Sequence, residues 1–253
     1  MPGGRTTRGR GAWANEAPLV VYGANAVLEL LRSGEPVTRV HLAHGPREAE
    51  VAAAARGRRV EVAAADRRTL ERLAASPRHQ GAVAVAPPFR YAPLERLLAS
   101  GCPSALVLDG IQDPRNLGAI LRTARAAGLG GVVLPRDRSV AITPVVVAAA
   151  AGTLFGLPIA RVPNLVRAME ALKTAGYWLV GLVTRGGVAP QDLPRPARPA
   201  LVVGGEGEGL RPLVRRTCDL AVSIPMAPGV ESLNVGVAVG IMLYELCVRA
   251  ARS

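Results

Sequence analysis

Three polar clusters stand out against an apolar chain. The first is GGEGEGL, Gly204 to Leu210, at the end of the apolar run LVV. A glycine-rich loop after a strand commonly cradles phosphate on backbone N–H groups. Here no Lys-Ser/Thr pair follows, and no GxGxxG with a distant acidic ribose ligand is present. Glu206 and Glu208 would repel a pyrophosphate. The loop suits a phosphate-free ligand with some positive charge, and a plain strand-to-helix turn accounts for it about as well. The second cluster is SIPMAPGVESLN, Ser223 to Asn234, where Ile224 and Met226 form an apolar wall and Ser232 is placed to cap a helix. The third is DPRNLGAILRTA, Asp113 to Ala124. Asp113-Pro114 is a helix start, Leu117, Ile120, Leu121 and Ala124 form one face, and Arg122 and Arg125 share another. Taken alone, Asn116 reads as a local cap and the arginines as a solvated pair.

Absent residues narrow the chemistry. All three histidines, His41, His44 and His79, lie in the first third of the chain. A histidine-based triad or metal site is therefore excluded from the region carrying the three clusters. Cys102, Cys218 and Cys247 are odd in number and far apart, with no zinc spacing and no disulfide framework. That fits a reducing, cytoplasmic compartment. Group transfer from an already activated donor needs none of the missing groups, because positioning supplies much of the rate.

The elements that must hold these clusters follow from periodicity. ALVLDG, GGVVLP, LPIARV, YWLVGLV, ALVVGG and LAVSIP are six continuous apolar runs, separated by helical patterns around Leu117, Val145, Val166, Leu213 and Val237. Such alternation predicts an α/β unit with a parallel sheet covered on both faces. Thr184 to Pro199 is a Pro/Gly-rich loop. The apolar run Val235 to Val248 is short and interrupted by Glu245, so a buried amphipathic helix is expected there, and no membrane span. Upstream, VTRVHLA, VEVAA and GAVAVAP read as strands, AEVAAAARG and RRTLERLAA as helices, and Ala26, Val27, Leu30 and Leu31 have helical spacing. The organisation expected is a disordered basic tail over 1–17, a small α/β unit over 18–90, a linker over 91–103 and the larger unit over 104–253.

The chain has 253 residues and a net charge of +12, with Lys173 the single lysine among 31 basic residues. A polyanionic partner, most simply nucleic acid, is the leading explanation. Arginine suits bidentate phosphate contacts, although genome composition produces the same bias.

The three clusters together resemble the three motifs of the SpoU family of RNA 2′-O-methyltransferases, within the SPOUT superfamily. The resemblance extends upstream through YGANAVLELL and HQGAVAV to that family's substrate-binding domain. It implies an L30e-like N-terminal domain and a C-terminal parallel-sheet SPOUT domain with a deep trefoil knot. It implies S-adenosyl-L-methionine as cofactor, a homodimer whose two subunits build each site, and no metal. Asn116, Arg122, Glu206, Ser232 and Asn234 match the catalytic positions. Gly204, Gly205, Ile224, Met226 and Leu233 match the cofactor-binding positions. The implied reaction is methylation of a guanosine 2′-OH in 23S rRNA, in the peptidyl-transferase P loop. A tRNA guanosine-2′-O-methyltransferase and a noncatalytic RNA-binding ribosome-assembly protein are the alternatives. One departure is visible: the run after Leu233 is NVGVA, with Gly236 where the family usually has serine.

Overall fold

The computed structural model describes residues 17–99, 102–194 and 196–249. The expected basic tail thus lies outside the described residues, apart from residue 17. The first unit contains β1 (Leu19–Tyr22), α1 (Ala24–Ser33), β2 (Arg39–Leu42), α2 (Glu48–Gly57), β3 (Glu61–Ala64), α3 (Arg67–Ala74) and β4 (Ala82–Ala86). Its sheet has the order β1-β4-β2-β3, with β2 and β3 parallel and β4 antiparallel to both its neighbours. β1 is missing from the sequence-based strands, since a four-residue LVVY run directly before a helix carries no period of its own.

The two N-terminal segments that carry the family resemblance meet in space. Gly23 precedes α1 with φ 96° and offers no side-chain cap. The Gln80 side-chain carbonyl supplies the missing acceptor, taking the Ala24 N–H at 3.2 Å. Gly34, at φ 85°, ends the helix in the left-handed conformation that glycine adopts most readily. Arg58 reaches back to the same helix end, donating to the carbonyl oxygens of Leu31, Gly34 and Glu35. This arginine is therefore a structural cap, whereas Arg56, Arg59, Arg68, Arg72 and Arg78 are exposed.

The expected linker is pinned in place. Tyr91 is buried, its hydroxyl oxygen accepts the Ile142 N–H at 2.8 Å, and Ala92 forms a parallel bridge with Ala160. A short helix, α4 (Leu94–Ala99), follows and buries Leu97.

The second unit has β5 (Ala105–Asp109), α5 (Pro114–Ala126), β6 (Val132–Pro135), α6 (Pro144–Ala149), β7 (Ile159–Val162), α7 (Leu165–Thr174), β8 (Trp178–Leu182), β9 (Pro199–Gly204), α8 (Pro212–Thr217), β10 (Leu220–Val222) and α9 (Val235–Leu243). All six expected strands and all five helices are present. The sheet order is β10-β8-β9-β5-β6-β7 and every pairing is parallel. The chain first builds outward from β5 through β6 to β7. It then returns to the other side of β5 for the remaining strands. That reversal creates a crevice beyond the C-terminal ends of β5 and β9, where α/β sheets bind ligands. Asp109 and Gly204 are Cα partners at this point.

One apolar core cluster runs through both units, from Leu19 and Leu30 to Leu117, Val146 and Leu154. The contact is close: a Cβ on Gly152 would lie 2.7 Å from the Ala26 Cα. Among the described residues no helix is long and apolar enough to cross a membrane. α9 is less buried than expected. Val235, Val239, Met242 and Leu243 face inward, but Val237, Ile241 and Tyr244 are 52%, 37% and 54% exposed.

Candidate active site

The crevice gathers all three clusters. β9 delivers Val203 and Gly204 at its C-terminal end, and the loop Gly205–Leu210 turns there. This loop is folded on itself: the Gly209 N–H donates to the Gly205 carbonyl at 3.1 Å. A Cβ on Gly204 would sit 2.0 Å from the Gly209 carbonyl carbon, and one on Gly205 would sit 2.6 Å from the Gly110 carbonyl oxygen. Both glycines are thus required by close approach of backbone to backbone within the protein.

A cleft of ≈ 530 Å³ opens beside this loop. Gly204, Gly205, Ile224, Met226 and Leu233, the expected cofactor-side positions, all line it, as do Glu206 and Ser232. Thr184 and Arg185, from the loop after β8, form another part of the wall. Sequence reasoning did not select them. Their signal was only their place directly after an apolar strand.

Asn116, Glu206 and Asn234 meet at the rim. Asn116 Nδ2 donates to Glu206 Oε1 at 2.6 Å. Asn234 Nδ2 donates to Asn116 Oδ1 at 3.1 Å and to Glu206 Oε1 at 3.4 Å. Each residue is held by its own element. Asp113 caps α5 by accepting the Arg115 and Asn116 N–H groups, which fixes the first helical turn that carries Asn116. Asn234 is itself the cap of α9, with Oδ1 accepting the Gly236 and Val237 N–H groups. Such a cap is worth about 1 kcal/mol. Asn234 therefore does the capping expected of Ser232, whose side chain is exposed in the cleft wall.

A second cleft of ≈ 380 Å³ adjoins the first across Gly205, Glu206 and Glu208. It is lined by Asp109, Gln112, Asn116, Arg138 and Arg211, among others. Asp109 and Arg211 were not selected from sequence, although Asp109 is the charged residue that ends an otherwise apolar strand. Arg122 is elsewhere. It is exposed on α5 and, among the described residues, makes no ion pair or hydrogen bond. It lies six positions beyond Asn116, which on an α-helix is about 9 Å along the axis and about 240° around it. The chain thus unites three of the five expected catalytic residues by hydrogen bonds and puts Ser232 in the same cleft. It leaves Arg122 apart. Among the described residues no three His, Cys, Asp or Glu side chains are grouped to hold a metal.

A parallel α/β sheet with a glycine-rich acidic loop and an asparagine–glutamate rim at its switch point has the layout of the α/β enzyme class, whose ligands bind at that point. Comparison with known proteins gives the class a family. The SpoU rRNA methylase family matches residues 103–244. The substrate-binding segment of RNA 2′-O ribose methyltransferases matches residues 20–92. A Staphylococcus haemolyticus protein, provisionally named a TrmH-family tRNA/rRNA methyltransferase, is 36% identical over 90% of this chain and 94% of its own. A Mycobacterium tuberculosis protein named an uncharacterized tRNA/rRNA methyltransferase is 40% identical over 92% of this chain and 74% of its own. Among solved structures, the AdoMet-bound rRNA methyltransferase of Sinorhizobium meliloti aligns with TM-score 0.78 at 27% identity, covering 92% of this chain and 87% of that one. AviRb of Streptomyces viridochromogenes, a SpoU methyltransferase in complex with AdoMet, aligns with TM-score 0.79 at 27% identity, covering 93% and 92%. The chain belongs to the SpoU family of RNA 2′-O-ribose methyltransferases.

Proposed function

We propose that this enzyme transfers a methyl group from S-adenosyl-L-methionine to the 2′-OH of a guanosine in 23S rRNA, in the peptidyl-transferase P loop, and works as a homodimer. The observation that carries the methyl-transfer reading is the crevice itself. A cleft of mixed polar and apolar lining at the switch point holds Glu206, Glu208 and Glu231 together with Arg185 and Arg215, and shares its rim with the Asn116–Glu206–Asn234 cluster. The three carboxylates outnumber the two arginines, and Ile224, Met226 and Leu233 add an apolar face, which suits a cationic, phosphate-free cofactor. Gly204, Gly205, Ile224, Met226 and Leu233 are the residues that would hold it. The knotted threading of the C-terminal segment belongs to the same reading. Its support is that the loops after β8, β9 and β10 all border one cleft.

When bound, the cofactor supplies a sulfonium methyl group already activated toward attack by oxygen. The chain's own residues have to place the ribose and exclude water. Glu206 takes Asn116 and Asn234 on one carboxylate oxygen, which leaves the other as an acceptor for a ribose hydroxyl. Methyl transfer forms the O–CH₃ bond, breaks the S–CH₃ bond and releases the 2′-OH proton. Arginine keeps its proton at any ordinary pH. Either a nearby RNA phosphate relays the released proton to water, or Arg122 acts mainly as a cation beside the developing alkoxide while water takes the proton.

The exposed Val237, Ile241 and Tyr244 stripe on α9 supports the dimer, because these spacings place all three on one helix face. Thr123, next to Arg122 in α5, packs near Gly240 of α9, the helix that carries that stripe. The rRNA target is favoured by how much of the chain aligns. The S. meliloti rRNA methyltransferase covers both units. A structure titled for 2-OH methylation of C/U34 on tRNA matches 59% of this chain with 97% of its own length, at TM-score 0.53. Tritiated-methyl transfer to 23S rRNA and to tRNA, followed by mapping of the modified ribose, tests the proposal. Label confined to a 23S guanosine 2′-oxygen is expected. Label confined to tRNA, or to a base atom, would overturn it.

A further inference from the structure

Asp109 has no place in the five-residue catalytic set, yet its surroundings are the most constrained at the site. It is 2% exposed, and its carboxylate side chain is fully buried at the end of β5. Its carbonyl oxygen accepts the Gly205 N–H at 2.9 Å, just before Glu206. Its carboxylate accepts the Arg211 backbone N–H at 3.0 Å, just after the loop. The Arg211 guanidinium closes the contact, with Nε and an Nη each 2.6 Å from Oδ1. Both ends of the Gly205–Leu210 loop are therefore fastened to one residue. That residue also starts the segment leading to Asp113, the cap of α5 and hence of Asn116.

We propose that Asp109, clamped by Arg211, is a positioning residue for methyl transfer: it holds the Gly205–Leu210 loop so that Glu206 meets Asn116 and Asn234. The inference rests on the reading of Glu206 as part of the reaction site. Gly204 and Gly205 are held through the Asp109 backbone, by ladder pairing and by the Gly205 N–H bond to its carbonyl, and these survive loss of the carboxylate contacts. Ile224 and Met226 lie outside the loop altogether. Glu206 is different, because it stands on exposed backbone past the last strand pairing and its place is set by the loop ends. Loss of the clamp should thus affect turnover far more than cofactor affinity. Misplacement of a reacting group by about 1 Å can cost on the order of 100-fold in rate.

The test uses the full chain with Asp109→Asn, Glu206→Ala and the double variant. Single-turnover methyl transfer, calorimetric S-adenosylmethionine affinity and thermal melting are measured on each. Asp109→Asn is expected to slow transfer by roughly 10- to 100-fold while the cofactor Kd changes less than about threefold. In the Glu206→Ala background the same substitution should add nothing, since the group it positions is gone. A full additional loss in that background would overturn the proposal, as would unchanged turnover by Asp109→Asn. Should Asp109→Asn fail to fold, Arg211→Lys carries the same cycle, because it keeps the charge and loses the forked contact. Normal transfer by Glu206→Ala alone would instead refute the reading of the site on which the inference rests.

Discussion

The separation of Arg122 from the rest of the site makes a quantitative prediction about mixed dimers. Within one subunit, Arg122 sits about 9 Å along α5 and about 240° around it from Asn116. It therefore does not face the cluster that Asn116 forms with Glu206 and Asn234. It follows Ala119 and precedes Thr123, which face Gly236 and Gly240 of α9, the helix whose exposed Val237–Ile241–Tyr244 stripe a second copy would cover. If that copy brings its Arg122 to the cluster, each site takes its cluster from one chain and its arginine from the other. Arg122→Ala and Glu206→Ala should each keep only a small residual fraction of wild-type turnover as homodimers. Arg122→Ala should still fold, since removal of an exposed, unpaired side chain costs within about 0.5 kcal/mol. When the two variants are co-expressed in equal amounts, half of the dimers are mixed. Each mixed dimer has one site with an intact cluster and an intact arginine, and one site lacking both. Activity should return to about one quarter of the wild-type level. The assay is tritiated-methyl transfer by the co-expressed pool and by mixed dimers isolated with two affinity tags. Isolated mixed dimers should reach about half of wild type. No recovery in isolated mixed dimers would mean that Arg122 serves its own chain's site or none, and the two-subunit site would be refuted.

Two further outcomes test the packing. Gly152→Ala should destabilise the protein by roughly 2–5 kcal/mol, because φ is 79° and the new Cβ would meet the α1 backbone at Ala26; a melting temperature equal to wild type would show that the two units do not pack this way. Burial, followed by the neighbouring Asp219 carboxylate, pushes the Cys218 thiol up from 9.0 to about 11. A raised thiol pKa favours the folded state fully below the unfolded value and loses that contribution as pH rises through the folded one. Denaturant melts of wild type and Cys218→Ala should therefore converge between pH 9 and 11, and parallel curves over that window would refute the assignment.

The fold was legible where one period dominates and illegible where a neighbour supplies the missing term. The six apolar strand runs and the five helices between them are strong local signals, because a strand buried on both faces needs no alternation. β1 was invisible, since LVVY becomes a strand only through its pairing with β4, more than sixty residues later. The residues 91–103 looked like a linker because proline and glycine are frequent there. Tyr91 fastens that segment with one buried hydroxyl that takes the Ile142 N–H, a contact no local pattern reports. The site divides in the same way. Gly204 to Leu210 and Ser223 to Asn234 announced themselves by composition, and the meeting of Asn116 with Glu206 and Asn234 spans ninety and 118 positions that no local pattern reports. The capping role moved from Ser232 to Asn234 because helix α9 starts at Val235, a boundary that spacing fixes only to within a few residues. Asp109 is the instructive omission. A carboxylate that ends a fully apolar strand must find a partner or lose its charge. Its partner, Arg211, follows the acidic loop directly, while Asp109 ends the strand beside it. Sequence shows both residues, and only the parallel pairing of β5 with β9 puts them on the same edge.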